Sequence, residues 1–503
     1  MREIRHSQMK LGEVAVSQIP LDTKSRDEIP KLLMGLQYIY CTHEIRTQVF
    51  SILEEIMPKE KSKKDGRPGM DLWNILVLGT IRLNCDWDYD KLREMADNHK
   101  TLRQMLGHGM DDEGKRYPLQ TLKDNVSFLT PEILDRINRV VVQSGHKLVR
   151  KKKDGSLRGR CDSFVVETDV HYPTDINLLF DAMRKVIHLI GVLCAEVGIT
   201  GWRQSEHHIR TVKKGYRKAQ QCKRSTSTDE ARQEERKRLI VKAHEDYVAL
   251  SRGLVDRAEV TLVEIRKKSR GIKMEALVLE IEGFIRHARR QMEQITRRVV
   301  QEEKVGHEEK VFSLFEPHTE WISKGKAGVP QELGLRVGIV EDQYQFILHH
   351  LVMEKETDDK VAVRMIRKTK ENFSELAMCS FDKGYHSSGN RIELGQILER
   401  VILPKKGRLT VKEKEVESSE VFVRMRRRHS AVESAIHGLE NHGLGVCRDH
   451  GIEGFKRYVG LAVLGRNIQR LGHIIQQRAL KLQMRREKAN VKFRLLCVQR
   501  KAA

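Results

Sequence analysis

The stretch Cys161-Asp-Ser-Phe-Val-Val-Glu-Thr-Asp169 combines strand-forming residues with acidic ones. Phe164, Val165 and Val166 form a short apolar run of residues that favour strands, which predicts a buried strand. Asp162 lies at or near the predicted start of that strand. The stretch therefore predicts a sheet that carries a carboxylate, and the rest of the chain is interpreted around it.

The overall charge of the chain indicates the class of partner. The 503 residues carry a formal net charge of +23, and the sequence pI is about 9.6. A positive charge of this size favours a polyanion, with nucleic acid first and an acidic membrane surface second. No apolar run reaches the roughly 18 residues needed to cross a bilayer, and the N-terminus lacks the apolar segment of a secretory signal. We therefore expect an intracellular protein without membrane contact.

Cysteine and histidine spacing gives little support for a disulfide or zinc site. The eight cysteines are scattered and form no Cys-x-x-Cys pair, so neither a disulfide framework nor a zinc ribbon is indicated. A loose group of His437, His442, Cys447 and His450 has irregular spacing, which disfavours zinc. His349 and His350 alternate across a predicted strand, and we interpret them as structural.

Residues 1–149 predict an all-helical N-terminal region. Apolar periodicity supports helices over 32–40, 72–78 and 89–106, and another helix begins at Thr130-Pro-Glu132 with a cap followed by proline. Several short helices joined by polar turns could form a helix-turn-helix module that binds DNA. The alternative is a helical bundle without that role.

The following 161 residues predict a divided domain. Residues 150–200 supply a basic linker, the first strand and a helix capped by Thr174 or Asp175, and we assign them to the first part of an α/β core. Residues 201–310 show sustained helical periodicity with a bend at Ser269-Arg-Gly-Ile272, which predicts a helical hairpin. We favour a spacer or dimerising coiled coil without chemistry for this insertion.

Residues 311–475 predict the remainder of the core, and residues 476–503 a basic C-terminal tail. The predicted strands cover 311–315, 335–340, 345–352, 376–382 and 401–403, with helices over 358–373 and 391–399. Alternating strands and helices with a short hairpin indicate an α/β domain built on a mixed sheet.

Two further acids are positioned to join Asp162. Asp382 follows the predicted strand 376–382 and precedes Lys-Gly-Tyr, while Glu433 lies on a predicted helix over 424–440. The apolar residues Val432, Ala435, Ile436 and Leu439 predict the buried side of that helix. Three converging carboxylates can bind two divalent cations for in-line displacement at a phosphodiester, and oxygen ligands favour Mg²⁺ or Mn²⁺.

Four segments together resemble a known family. They are Asp162 to Asp175, Phe315-Glu-Pro-His-Thr-Glu-Trp-Ile-Ser-Lys-Gly-Lys326, Phe381-Asp-Lys-Gly-Tyr-His-Ser387, and Arg428-His-Ser-Ala-Val-Glu433 running to Leu444. The chain resembles the DDE transposases of bacterial insertion sequences, in particular the ISNCY-like group, over most of residues 30–475. The resemblance implies an RNase H-like catalytic core, and the helical insertion predicted from the periodicity of residues 201–310 would interrupt it.

The resemblance also implies an activity. It makes Asp162, Asp382 and Glu433 the catalytic residues and the ligands of two Mg²⁺ or Mn²⁺ ions. The expected reaction cuts double-stranded DNA at terminal inverted repeats and joins the 3′ ends to target DNA. The expected protein is bacterial, cytoplasmic and nucleoid-associated, and it acts as a homodimer or larger assembly on DNA. The alternatives are an RNase H-like nuclease without strand transfer and a catalytically silent DNA-binding protein derived from a transposase.

The sequence departs from one signature of a related branch. That branch has Tyr, Arg, Glu and Lys around the third acid, where this chain has Arg426, His429, Glu433 and Glu440. We predict DNA contacts from Arg426 and His429 beside the glutamate. Arg428 on the same helix, and Lys405 and Lys406 beyond a predicted strand end, complete the set of predicted DNA-binding residues.

Two assignments keep an alternative within the same motifs. Asp169 could replace Asp162, although strand alternation would give these two aspartates opposite facings on a continuous strand. Glu440 lies seven residues after Glu433 along the same helix face and could replace it. We favour Asp162 and Glu433 because they match the family motifs. Asp358 and Asp359 look like a helix start, where acids favour the helix dipole.

Overall fold

The fold is mixed α/β, built around an open sheet that contains both parallel and antiparallel strands. The computed structural model describes residues 3–6, 8–57, 69–150, 155–222, 229–268, 271–323 and 331–502, with side chains up to residue 489. Within these residues the strands are β1 (Leu157–Thr168), β2 (Glu320–Ser323), β3 (Gln331–Asp342), β4 (Ile347–Met353), β5 (Leu376–Phe381), β6 (Arg400–Ile402) and β7 (Val446–Cys447).

The first strand is the centre of the sheet. β1 pairs with β3 in antiparallel fashion and with β5 in parallel, and β6 continues the sheet beyond β5 in parallel. β3 pairs on its other side with β2 and then with β4, both antiparallel. At its far end β1 gains the short parallel strand β7. The sheet order is therefore β4-β3-β1-β5-β6, with β2 beside β4 along β3 and β7 beside β5 along β1.

Contacts divide the described chain into two compact units. The first contains Met1–Asp169 and Glu320–Ala503, and the second contains Val170–Thr319. The helices of the first unit that precede the sheet are α1 (Glu28–Cys41), α2 (His43–Glu54), α3 (Leu72–Asn84), α4 (Tyr89–Asn98), α5 (Lys100–Met105), α6 (Leu119–Val126) and α7 (Pro131–Val149).

The second unit consists of helices in its described part. They are α8 (Asp175–Val197), α9 (Ser205–Gln221), α10 (Glu230–Lys268) and α11 (Ile272–Ile295). Arg266 bonds to Glu275 and Glu282, so α10 and α11 run antiparallel as the predicted hairpin does. Residues 269 and 270 of its predicted bend lie outside the described residues. The apolar side of α11 is buried, for example at Ile281, against the other helices of this unit.

The first unit also contains the helices that follow β4 in the chain. Its later helices are α12 (Asp358–Asn372), α13 (Ser388–Ile397), α14 (Val411–Ser418), α15 (Glu420–His429), α16 (Ala431–Leu439) and α17 (Gly451–Ala502). A single apolar core joins residues of the N-terminal helices, such as Leu33 and Trp73, to Val166 and Val337 of the sheet and to Leu464 of α17. The N-terminal helices therefore share a core with the sheet.

α1 and α17 cross at very short distance because both carry glycine at the crossing. A Cβ atom on Gly472 would lie 1.8 Å from the carbonyl oxygen of Lys31, and one on Gly35 would lie 2.2 Å from that of Ile468. No side chain fits at such separations. The two glycines therefore allow the backbones of the first and last long helices of the unit to touch.

Several predicted elements are confirmed and others change. β3, β4, β5, β6 and α12 lie where the apolar runs predicted them. The predicted strand 311–315 is wrong, because the structure has no regular element there and Leu314 packs among the helices of the second unit. The predicted helix 89–106 is divided at His99 into α4 and α5.

The boundary between the two compact units falls just after β1. The second unit begins at Val170, so α8 groups with the helical unit by its contacts. The predicted tail from residue 476 continues α17 as helix. In the part of the chain that the structure describes, no helix is both long and apolar enough to cross a membrane.

Candidate active site

Two of the predicted acids directly follow paired residues of adjacent parallel strands. Cys161 of β1 pairs with Phe381 of β5. Asp162 is the next residue within β1, and Asp382 is the first residue after the end of β5. Residues at matching positions of parallel strands project to the same face. The two acids, which are far apart in the sequence, therefore lie side by side in the folded chain.

The site lies at the point along β1 where its pairing with β5 has ended. Pairing with β5 ends at Cys161, and the next partner on that side, β7, begins opposite Glu167. Asp162 is the sixth residue of β1, inside the strand, whereas the sequence predicted it near the start. The gap between β5 and β7 leaves space beside the Asp162 carboxylate for other elements.

Local hydrogen bonds orient both aspartates. Asp162 accepts a 2.8 Å bond from the backbone N–H of Ser163 through Oδ1. Asp382 caps a short 3₁₀ turn over Lys383–Tyr385 and accepts a 3.3 Å bond from the N–H of Gly384. Lys-Gly-Tyr after the strand thus gives the turn that the sequence predicted.

Burial and neighbouring carboxylates act on Asp162 together. Burial, together with the charges of Asp382, Asp358 and Glu433 and opposed by the bond from Ser163, raises the pKa of this carboxyl to about 7. Asp162, Asp382 and Glu433 form no ion pair with a cationic side chain in the described residues. The acidic pocket, which comprises Asp162, Asp358, Asp382 and Glu433, therefore has no ion-pair partner among the described residues.

Asp358 is a fourth acid that the sequence analysis assigned only to a helix start. It is the first residue of α12, and its Oδ1 accepts a 2.7 Å bond from the hydroxyl of Ser163. Ser163 therefore links the backbone beside Asp162 to the Asp358 carboxylate. No local pattern distinguishes Asp358 from Asp359, because the link depends on the position of β1.

The third predicted acid lies on a separate helix. Glu433 is exposed in the first turn of α16, and Val432, Ala435 and Leu439 bury the opposite side of that helix as predicted. The predicted single helix 424–440 is interrupted at Ser430 between α15 and α16. The charge of Glu433 reaches Asp162 and His429, so this helix contributes to the acidic pocket.

The two alternative acids lie in different surroundings. Asp169 is exposed and follows the end of β1. Glu440 begins a wide helical turn and lies 3.7 Å from the ring of His437. Neither carboxylate is among the charges that act on Asp162.

His429 connects the third helix to the second acidic strand. Its Nδ1 lies 3.0 Å from the hydroxyl of Ser380, two residues before Asp382, and its Nε2 is buried without a hydrogen-bond partner. Burial lowers the pKa of the imidazole, while Asp382 and Glu433 act in the opposite direction. His429 therefore holds α15 against β5.

The predicted basic residues divide into paired and exposed ones. Lys405 bonds to Glu413 at 2.7 Å through Nζ, so its charge is used within the chain. Lys406, Arg426 and Arg428 are exposed. The last two lie in the C-terminal turn of α15, immediately before the helix of the third acid.

The remaining histidines have local roles. His442 is buried and its Nδ1 bonds to the carbonyl of Asn84 at 2.5 Å. His349 is buried on β4, and burial lowers the pKa of its imidazole to about 3. These contacts fit the structural role expected for His349.

The carboxylate oxygens of the acidic pocket suit a hard cation, although they do not lie close enough together to form a complete coordination site. Carboxylate oxygens are the ligands that Mg²⁺ and Mn²⁺ prefer, and a cation would offset the repulsion that acts on Asp162. Among the described residues, no three acidic, cysteine or histidine side chains stand close enough to hold a metal ion as they are. Asp162 and Asp382 are the adjacent carboxylates of the acidic pocket, and the exposed Glu433 lies on a separate helix.

Comparisons with other proteins complete the description of this site. No protein-family model matches the chain, and neither the curated proteins nor the solved structures contain a match to it.

Proposed function

We propose that the protein is a metal-dependent DNA transposase of the DDE type, with Asp162, Asp382 and Glu433 as its catalytic acids. The observation that carries this proposal is the register of β1 and β5, which puts Asp162 beside Asp382, where no cationic side chain of the described residues forms an ion pair with either. A charged pair of this kind is costly unless a cation joins it. Phosphodiester chemistry with divalent cations uses such a pair.

The sheet topology supports an RNase H-like core for this function. Three strands joined as an antiparallel meander, β1, β3 and β4, are followed by α12, β5, α13 and β6, with β5 and β6 parallel to β1. That arrangement agrees with the core implied by the sequence resemblance. The helical unit Val170–Thr319 lies between β1 and β2 along the chain, and it contains residues 201–310, for which the apolar periodicity predicted a helical insertion.

The chain's own residues have distinct proposed roles. Asp162 within β1 and Asp382 after the end of β5 would hold divalent cations, and Glu433 would complete the ligand set from α16. Mg²⁺ or Mn²⁺ bound there would activate the attacking oxygen, from water or a 3′-hydroxyl, and stabilise the leaving oxygen. Ser163 fixes the backbone beside Asp162 through its bond to Asp358. His429 keeps α15 and the adjoining α16 near β5 through Ser380.

DNA would approach the pocket along the exposed cations of α15. Arg426 and Arg428 are exposed on the last turn of that helix and suit phosphate contacts without base selectivity. Bringing two DNA ends together requires at least two active sites, so we propose that the protein acts as a dimer or larger assembly on DNA.

A plasmid assay tests this function directly. Purified full-length protein is incubated with Mg²⁺ or Mn²⁺ and a supercoiled plasmid that carries the DNA flanking its coding region. We expect cuts at the ends of inverted repeats and products joined to a second plasmid. Cuts without joined products would identify a nuclease, and DNA that is bound but uncut with both metals would reduce the protein to a DNA-binding role.

A further inference from the structure

One helix of the second unit has a face that is almost entirely cationic. On α9 the side chains of Arg210, Lys213, Lys214 and Arg217 are exposed and follow the spacing i, i+3, i+4 and i+7. Residues at this spacing share one side of a helix. These four residues form the α9 basic stripe, and Glu206 in the first turn is the single acid of the helix.

The opposite side of α9 is fixed within its unit. Val212 and Ala219 are fully buried, and the ring of Tyr216 stacks on that of Phe180 in α8 with centroids 5.3 Å apart. A Cβ on Gly215 would lie 3.1 Å from Tyr247 of α10, so the helix backbone lies close to α10. The apolar side is therefore already covered, which leaves the basic side as the face available to another molecule.

The cations of the stripe differ from those of the neighbouring hairpin. Arg289 on α11 bonds to Asp256 and Glu259, and Arg297 bonds to Glu303 and Glu309. In contrast, no described carboxylate forms an ion pair with a residue of the α9 basic stripe. The same unit therefore neutralises charges on one surface and leaves four like charges together on another.

We propose that the α9 basic stripe binds the phosphate backbone of duplex DNA, so that the helical unit is a DNA-binding part of the protein. This inference rests on the proposed DNA substrate, and it gives a part in DNA binding to a segment whose periodicity predicted a spacer or dimerising coiled coil. The stripe extends over roughly 10 Å at 1.5 Å rise per residue, which spans about three phosphates of one strand. None of the exposed large apolar side chains of the described chain lies on α9, so a membrane surface, which requires such side chains, fits less well.

The test compares the salt dependence of DNA binding between two variants of the full-length protein. The stripe variant carries Arg210→Gln, Lys213→Gln, Lys214→Gln and Arg217→Gln. The control variant carries Lys237→Gln, Arg266→Gln, Arg289→Gln and Arg297→Gln, which removes the same charge from residues that already bond to carboxylates. Circular dichroism and thermal unfolding establish that both variants fold.

The probe is a 50-base-pair duplex of random sequence, with Kd measured between 50 and 200 mM salt. Each phosphate contact contributes about 0.9 to the slope of log K against log salt, so the stripe variant should lose about 2 to 4 from that slope. Its affinity at 50 mM salt should fall by at least about 30-fold. The control variant should change the slope by less than about 1.

The results also separate this inference from the proposed function. Unchanged binding by the stripe variant, or equal losses in both variants, overturns the inference. Loss of binding to vesicles with anionic lipid, with DNA binding intact, also overturns it in favour of a membrane surface. If wild-type protein binds DNA through the stripe and never cuts it, the catalytic proposal fails while the stripe stands.

Discussion

Carboxylates in the two compact units have different surroundings. On the hairpin, Asp256 and Glu259 both bond to Arg289 at 3.0 and 2.6 Å, and all three side chains are partly exposed. On the sheet, Asp162 and Asp382 lie side by side and form no such pair. Like charges held together raise the free energy of the folded chain, so the acids on the sheet differ energetically from the ion-paired acids of the hairpin. This difference is what the proposed binding of a divalent cation would relieve.

The strongest test removes one acid of the adjacent pair. Asp382→Asn should reduce Mg²⁺- or Mn²⁺-dependent DNA cleavage by at least about 1000-fold, because an amide cannot replace the charged ligand. The matched control is Asp169→Asn, which changes an exposed aspartate beyond the end of β1. Cleavage is measured on the flanking-DNA plasmid. Equal activity of wild type and Asp382→Asn would show that the acids on the sheet have no more functional importance than the ion-paired acids of the hairpin.

A second comparison concerns the helix after Ser430. Glu433→Gln should reduce cleavage by about 100-fold or more, whereas Glu440→Gln should change it by less than about 3-fold, because Glu440 lies beside His437 instead. Single-turnover cleavage with saturating DNA measures both variants. The reverse ranking would assign the third ligand to Glu440.

The fourth acid should have a smaller effect. Asp358→Asn weakens the bond from Ser163 and should reduce cleavage by about 10-fold, since the amide still accepts a hydrogen bond. Asp359→Asn is the control, because the Asp359 carboxylate bonds to the hydroxyl of Thr357 instead. Identical rates for the two variants would reduce Asp358 to an ordinary helix-start residue.

The charge of Asp162 should also lower the thermal stability of the folded protein at high pH. The pKa of about 7 in the folded state exceeds the ordinary aspartate pKa of 3.8, so the folded state binds the proton more tightly and loses relative stability as pH rises from about 4 through 7. Without divalent metal, Asp162→Asn should therefore raise Tm by at least about 2 °C at pH 8. At pH 4 the variant and wild type should unfold together. A gain in Tm that is equal at both pH values would exclude this electrostatic cause.

The smallest effect is expected on the hairpin. Arg289→Gln should change the free energy of unfolding by less than about 1 kcal/mol, because exposed ion pairs contribute little. DNA cleavage should remain at the wild-type level. Urea unfolding measures the free energy of unfolding, and the plasmid assay measures cleavage. A loss of cleavage by Arg289→Gln would show that the ion-paired acids of the hairpin also matter for activity.

Sequence patterns predicted the parts of this molecule that depend on local chemistry. Short runs of branched apolar residues predicted β3 to β6, and the spacing around Val432 predicted the buried side of α16. The same reasoning was wrong for 311–315, where strand-forming residues have no strand to pair with and pack among helices. Local preference does not specify a partner.

Local sequence patterns could likewise predict only those residues of the candidate site whose position does not depend on distant strand pairing. Asp382 could be identified because it follows a strand and precedes a turn. The role of Asp358 depends on Ser163, which is 195 residues away in the chain, so only the pairing of the strands reveals it. The grouping of α8 with the second unit likewise depends on contacts with α11 that its own apolar pattern does not specify.

The glycine crossing of α1 and α17 has a consequence for synthesis of the chain. Glu28 and Gln469 bond across that interface although they are 441 residues apart. Because domains complete their folding only when distant partners have left the ribosome, the core beneath the sheet cannot close until α17 has been made. We therefore expect shortened translation products that lack α17 to remain without the packed core that supports the acidic pocket, which would restrict DNA cutting to chains translated nearly to the end.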